Sequence, residues 1–200
     1  GISFWELVMQ EEVNEKQSTP EEVFDMMQEM YHAMVLADEG YQQQKSSSGM
    51  VGGAGALMAE WNRDGKALAG PFLGQVMERA LKMAESNACM KRIVAAPTAG
   101  SCGVLPAVLI TYQKEENCPE EEVVKALFVS AGIGGIIAGR ASIAGAQGGC
   151  QAEIGSASAM AAGALTFLRG GNLQQIYEAA ALALKGLLGL VCDPVAGLVE

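Results

Sequence analysis

The sequence predicts an all-α fold, and three observations carry that prediction. Apolar residues recur at helical spacing along most of the chain, and helix starts marked by proline and acidic residues stand at two places. Alternating runs rich in Val, Ile and Thr, the mark of strands, are few. The expected form is a single helical domain over residues 1–200, with buried Gly/Ala-rich helices and Gly-rich turns that form the site.

Trp5, Val8, Met9 and Val13 share one face of a first helix. Ser18-Thr19-Pro20-Glu21-Glu22 starts a second, with Thr19 as N-cap, Pro20 in the first turn and acids near the positive dipole end. Val23, Met26, Met27, Met30, Met34 and Val35 continue it, and Gly40 ends it. Residues 42–55, with three Gln, three Ser and four Gly, read as a loop. A helix over 70–88 follows, then the short apolar run Ile93-Val94-Ala95-Ala96 up to Pro97, then helical residues 104–112. Pro119-Glu120-Glu121-Glu122, preceded by Asn117-Cys118, opens a long helix through Ala138. Two more helices, 152–169 and 173–188, are joined by Gly170-Gly171-Asn172. Residues 126–139 and 152–168 carry almost no charge and are expected to be central and buried. Gly132, Gly134, Gly135, Gly139 and Gly145 lie in apolar helices at about 1 kcal/mol each relative to Ala. Close backbone approach between buried helices is the expected reason.

A net charge of −10 repels phosphate backbones and anionic lipid, which excludes nucleic-acid and membrane-surface partners. The longest apolar run, 126–139, is shorter than the roughly 18–20 residues that span a bilayer and is followed by Arg140, so it reads as a core helix. The N-terminus has no basic region ahead of an apolar one, and five scattered cysteines do not make a secreted disulfide framework. The cytoplasm is the expected compartment.

His32, the one histidine, excludes a His-based zinc site and is expected to be structural; neither a Gly-x-Ser-x-Gly elbow nor a P-loop occurs. Three small-residue turns stand out: Ser46-Ser47-Ser48-Gly49-Met50-Val51-Gly52-Gly53, Ala96-Pro97-Thr98-Ala99-Gly100-Ser101-Cys102-Gly103, and Gly148-Gly149-Cys150-Gln151-Ala152-Glu153-Ile154-Gly155. Each reads either as an ordinary glycine turn or as a cradle of backbone N–H groups for a carboxylate or oxyanion. Cys89 and Cys118 sit in incidental settings, whereas Cys102, Cys150 and Cys192 sit in Gly- or Pro-punctuated turns, as ligands do. No C-x2-C-x2-C run is present, so spacing by itself does not specify a cluster.

Residues 96–109, 141–163 and 186–200, which contain APTAGSCGVLPAVL, ASIAGAQGGCQAEIGSASAMAAG and GLLGLVCDPVAGLVE, resemble the α-chain of the two-subunit bacterial iron–sulfur L-serine dehydratases. The likeness runs from about residue 20 to the end. It implies a [4Fe–4S] cluster held by three cysteines, with Cys150 and Cys192 matching two ligand positions and the third falling past Glu200. The 200 residues alone are therefore expected to be C-terminally truncated, inactive and without an intact cluster. The resemblance also implies conversion of L-serine to pyruvate and ammonia, as in amino-acid catabolism and gluconeogenesis, and an oligomer with a separate β-chain. It places a small amino-acid substrate at Ser48, Gly49, Gly52 and Gly53 and at Thr98, Ala99, Gly100 and Ser101. The general base is not assignable in this chain. Two rival readings are a related lyase of the cysteine desulfidase kind and a non-enzymatic helical interaction module.

Overall fold

The structure, a computed structural model, describes residues 1–191. Those residues form α1 (Phe4–Lys16), α2 (Pro20–Glu39), α3 (Ala54–Arg63), α4 (Gly70–Ala88), α5 (Val104–Glu115), α6 (Glu120–Arg140), the single-turn α7 (Gly145–Gly148), α8 (Cys150–Leu168) and α9 (Leu173–Gly186), with a 3-10 turn at Ala99–Ser101. No strand occurs among the described residues, and the fold is all-α as expected.

The starts of α2, α6 and α9 follow from local chemistry. The Thr19 side chain accepts from the Glu22 N–H at 3.2 Å and Glu22 Oε2 accepts from the Thr19 N–H at 2.9 Å, a reciprocal capping box. Gly40 caps the other end of α2. Asn172 caps α9 in the same reciprocal way with Gln175. At α6 the structure corrects the expected boundary. Pro119 itself is the N-cap, and Glu120, Glu121 and Glu122 fill the first turn, where the helix dipole favours them.

The core lies where α6 meets α8, with α5 against α8 and α2 closing over α6. Val123, Val124, Leu127 and Phe128 of α6, Leu105, Leu109 and Ile110 of α5, and Ala159, Ala161 and Ala164 of α8 are buried together. Each large side chain among them contributes about 1.5–3 kcal/mol by leaving water. Small residues set the spacing: a Cβ on Gly134 would stand 3.0 Å from Met160 Sδ, and one on Gly163 would overlap Ile133. On the other side of α6, Gly132 admits Phe4 and Val8 of α1.

Three expectations are corrected here. Gly135 and Gly139 have nothing within 4 Å of an added Cβ, so close approach does not account for them. Burial of the 126–139 stretch also stops at Gly134, and beyond it Ile136 is 55% exposed. α6 is the one described helix long and apolar enough to cross a membrane by length and composition, and half of its apolar window is buried inside the chain. Residues 42–55 are a loop only as far as Gly53, because α3 starts at Ala54.

Candidate functional site

The last turns of α4 hold two of the three glycine-rich turns. Glu85, 4% exposed, accepts hydrogen bonds from the Tyr41 hydroxyl at 2.6 Å and from the Gly55 N–H at 3.1 Å. One buried carboxylate thus fastens both the entry to the 41–53 loop and the first turn of α3. Burial, reinforced by the neighbouring Glu85, pushes the Tyr41 hydroxyl up to about 12, which keeps it a donor. Farther along α4, the Cys89 thiol is directed at the Gln44 carbonyl at 3.9 Å. Between these two anchors, Asn87 Nδ2 donates to the Ala99 carbonyl at 3.1 Å and fastens the second turn.

Within the first turn the serines are structural. Ser46 Oγ lies 3.0 Å from Ser48 Oγ, the Met50 N–H donates to Ser48 Oγ at 3.1 Å, and the Gly49 N–H donates to the Ser46 carbonyl at 2.9 Å. Ser48 and Gly49 therefore shape the loop. Gly52 must be glycine: its φ is +137°, and a Cβ would stand 2.8 Å from Lys45 Cα and overlap the Gln44 carbonyl. The N–H groups of Gly52 and Gly53 have no acceptor among the described residues.

The second turn divides in the same way. Thr98 Oγ1 and Ser101 Oγ lie 3.1 Å apart, and Ser101, 1% exposed, also donates towards the Thr98 carbonyl at 3.3 Å. These hydroxyls build the turn. Ala99 and Gly100 are exposed, and their N–H groups have no acceptor among the described residues. Of the eight residues expected to bind substrate, Ser48, Gly52, Gly53, Ala99 and Gly100 have amide N–H groups with no acceptor among the described residues.

The third turn opens α8. Gly149, φ +71°, is its N-cap and Cys150 its first residue. Among the described residues, nothing stands within 4 Å of an added Cβ at Gly149. The chain returns to it near its last described residues, where the Gly189 N–H donates to Gln151 Oε1 at 2.9 Å. Cys192 lies outside the described residues.

The other cysteines occupy settings unlike a ligand's. Cys102 is 2% exposed among Ala37, Met83 and Ile93, and burial pushes its thiol up to about 11. Burial also raises the Cys118 thiol, which points to the Pro119 carbonyl at 3.6 Å. Among the described residues no three His, Cys, Asp or Glu side chains gather to hold a metal. Cys150 is half-buried as the first residue of α8. His32 is remote in role as well as in sequence: its Nε2 lies 2.8 Å from Glu120 Oε1 and ties α2 to α6.

Glu153 is the residue that sequence reasoning left without a role. It sits on α8 one helical turn after Cys150, and its carboxylate lies between the second turn and α7. A Cβ on Gly100 would stand 2.8 Å from Glu153 Oε2, and one on Gly145 would overlap the same oxygen. Among the described residues, no hydrogen bond or ion pair engages this carboxylate. A sequence signal did exist: Glu153 is the one charged residue between Arg140 and Arg169.

Over residues 1–200 the chain matches the family model described as serine dehydratase alpha chain. It is 41% identical over 196 residues to the "Probable L-serine dehydratase, alpha chain" of Bacillus subtilis, covering 98% of this chain and 65% of that protein. It is 40% identical over 203 residues to the "L-serine dehydratase, alpha chain" of Peptoniphilus asaccharolyticus, covering 100% of this chain and 69% of that protein. A shorter match, 48% over 122 residues, reaches the "L-serine dehydratase TdcG" of Escherichia coli, covering 60% of this chain and 27% of that protein. The chain spans about two thirds of the length of the alpha-chain relatives it matches.

Proposed function

This chain belongs to the serine dehydratase alpha-chain family, and on that premise we propose that it serves the conversion of L-serine to pyruvate and ammonia. The reaction removes the α-proton and breaks the Cβ–O bond, releasing water and leaving aminoacrylate. Tautomerisation to the imine and addition of water then give pyruvate and ammonia. The observation that carries the reading is the set of N–H groups on Gly52, Gly53, Ala99 and Gly100 that lack an acceptor among the described residues, on two turns tied to one helix. Donors of this kind bind a carboxylate, the group that every α-amino acid presents.

The cofactor in this reading is a [4Fe–4S] cluster, with Cys150 as one ligand and Cys192 as a second. When bound, it supplies a Lewis-acidic iron that polarises the departing hydroxyl. The protein's own part is to grip the substrate carboxylate and to keep the turns in shape. The α-proton is assigned to a base on a separate β-chain, because His32 is engaged by Glu120 away from the turns. The assembly is proposed to be cytoplasmic and oligomeric.

Anaerobic reconstitution of the α-chain with its β-chain, followed by assay of both products, tests this. A brown protein that forms pyruvate and ammonia from L-serine is the expected result. Turnover of L-cysteine without L-serine would move the assignment to a desulfidase, and a colourless protein without lyase activity would move it to an interaction module.

A further inference from the structure

We propose that Glu153 accepts the α-ammonium group of the amino-acid substrate and so selects amino acids over hydroxy acids; this rests on the serine dehydratase reading above. An amino acid at neutral pH carries one negative and one positive group on the same carbon. The amides of Ala99 and Gly100 answer the carboxylate, and the ammonium needs an acceptor on the same turn. Glu153 supplies one. Its carboxylate lies against Gly100, within the second turn, and against Gly145, the first residue of α7.

Three features set Glu153 apart from a surface acid at a helix start. Its oxygens press on two glycines from separate segments, each of which would lose room if it carried even a methyl group. The carboxylate is half-buried yet makes no hydrogen bond or ion pair among the described residues, which leaves its acceptor capacity unspent there. It is also the sole charged side chain over residues 141–168, in a stretch otherwise made of small, apolar and uncharged polar residues. A negative charge kept where nothing in the fold uses it, beside donors that suit an anion, matches the charge pattern of a zwitterion. Loss of a charge-assisted hydrogen bond weakens binding by about tenfold to a hundredfold.

The test uses the reconstituted α-chain and β-chain, comparing wild type with the isosteric E153Q and with Gly100→Ala, whose added methyl displaces the carboxylate from the opposite side. The readouts are KM and kcat for L-serine, the inhibition constant of glycerate, which replaces the ammonium by a hydroxyl, and the melting temperature. We expect both variants to raise the KM for L-serine about tenfold or more. For E153Q we expect kcat to change less than about threefold, with glycerate inhibition unweakened and an unaltered melting temperature. An unchanged KM in E153Q, or an equal loss of serine and glycerate binding, overturns the proposal. So does a collapse of kcat at constant KM, which would make Glu153 a base. If the wild-type assembly does not turn over L-serine at all, the serine dehydratase reading has failed and this inference falls with it, an outcome distinct from the three before.

Discussion

Cys102 and Cys150 stand in turns of similar composition and have opposite surroundings. Cys102 is sealed under Met83 and Ile93, and burial pushes its thiol up to about 11. Alkylation proceeds through the thiolate, so at pH 8 folded Cys102 is expected to react about two orders of magnitude more slowly than in the denatured chain. Mass-spectrometric quantification of iodoacetamide labelling with and without urea checks this; rapid labelling of the native protein contradicts the burial. The sign follows from the raised pKa: protection holds at pH 8 and fades as the pH climbs towards 11. Composition could not separate these cysteines, because burial of Cys102 depends on Met83 and Ala37, which come from other helices. Glu153 was hidden for the same reason. Its neighbour Gly100 is distant in sequence, and no short motif encodes their meeting. The Ser101 hydroxyl reads as available in the sequence and is turned inward in the fold, towards the Thr98 carbonyl.

At the scale of the element, glycines of like appearance do different work. A Cβ on Gly103 would stand 2.8 Å from the Ala80 carbonyl oxygen, where α5 begins beside α4. Backbone cannot swing aside, so Gly103→Ala is expected to destabilise the fold by about 1–3 kcal/mol. Gly135 faces open space on α6, and Gly135→Ala is expected to stabilise by about 0.5–1 kcal/mol through helix propensity. Urea denaturation of both variants decides the matter, and equal effects would refute this account of the packing. Helix starts with a local cap, α2 and α9, were legible in the sequence because Thr19 with Glu22 and Asn172 with Gln175 sit three residues apart. α3 was not legible. It begins at Gly53-Ala54-Gly55, where no side chain caps it, and its first-turn amide is held by Glu85, thirty residues later in the chain.

At the scale of the whole molecule, the described fold divides by exposure. The buried faces of α5, α6 and α8 form one core, while the far end of α6 and the outer face of α9 leave Ile136, Tyr177 and Leu182 more than half exposed. The helical period announced the first group. The second reads in the sequence as equally apolar, because hydrophobicity reports a preference for burial and not the presence of a neighbour. The attachment of two turns to one helix end has a further consequence, in motion. Glu85 and Asn87 on α4 and its C-cap Cys89 are successive anchor points, so the 41–53 loop and the 98–102 turn hang from a single support. Fluctuations that unwind the end of α4 release both, and the amides they protect should exchange with solvent deuterium in one cooperative event. Glu85→Ala removes only the first anchor, yet it is expected to accelerate exchange by about tenfold or more at the Gly55 amide and, together with it, at the Ser101 and Cys102 amides. Acceleration confined to Gly55 would mean that the two turns breathe independently. Joint acceleration would mean that whatever orders one turn quiets the other, making the end of α4 the hinge on which both are timed.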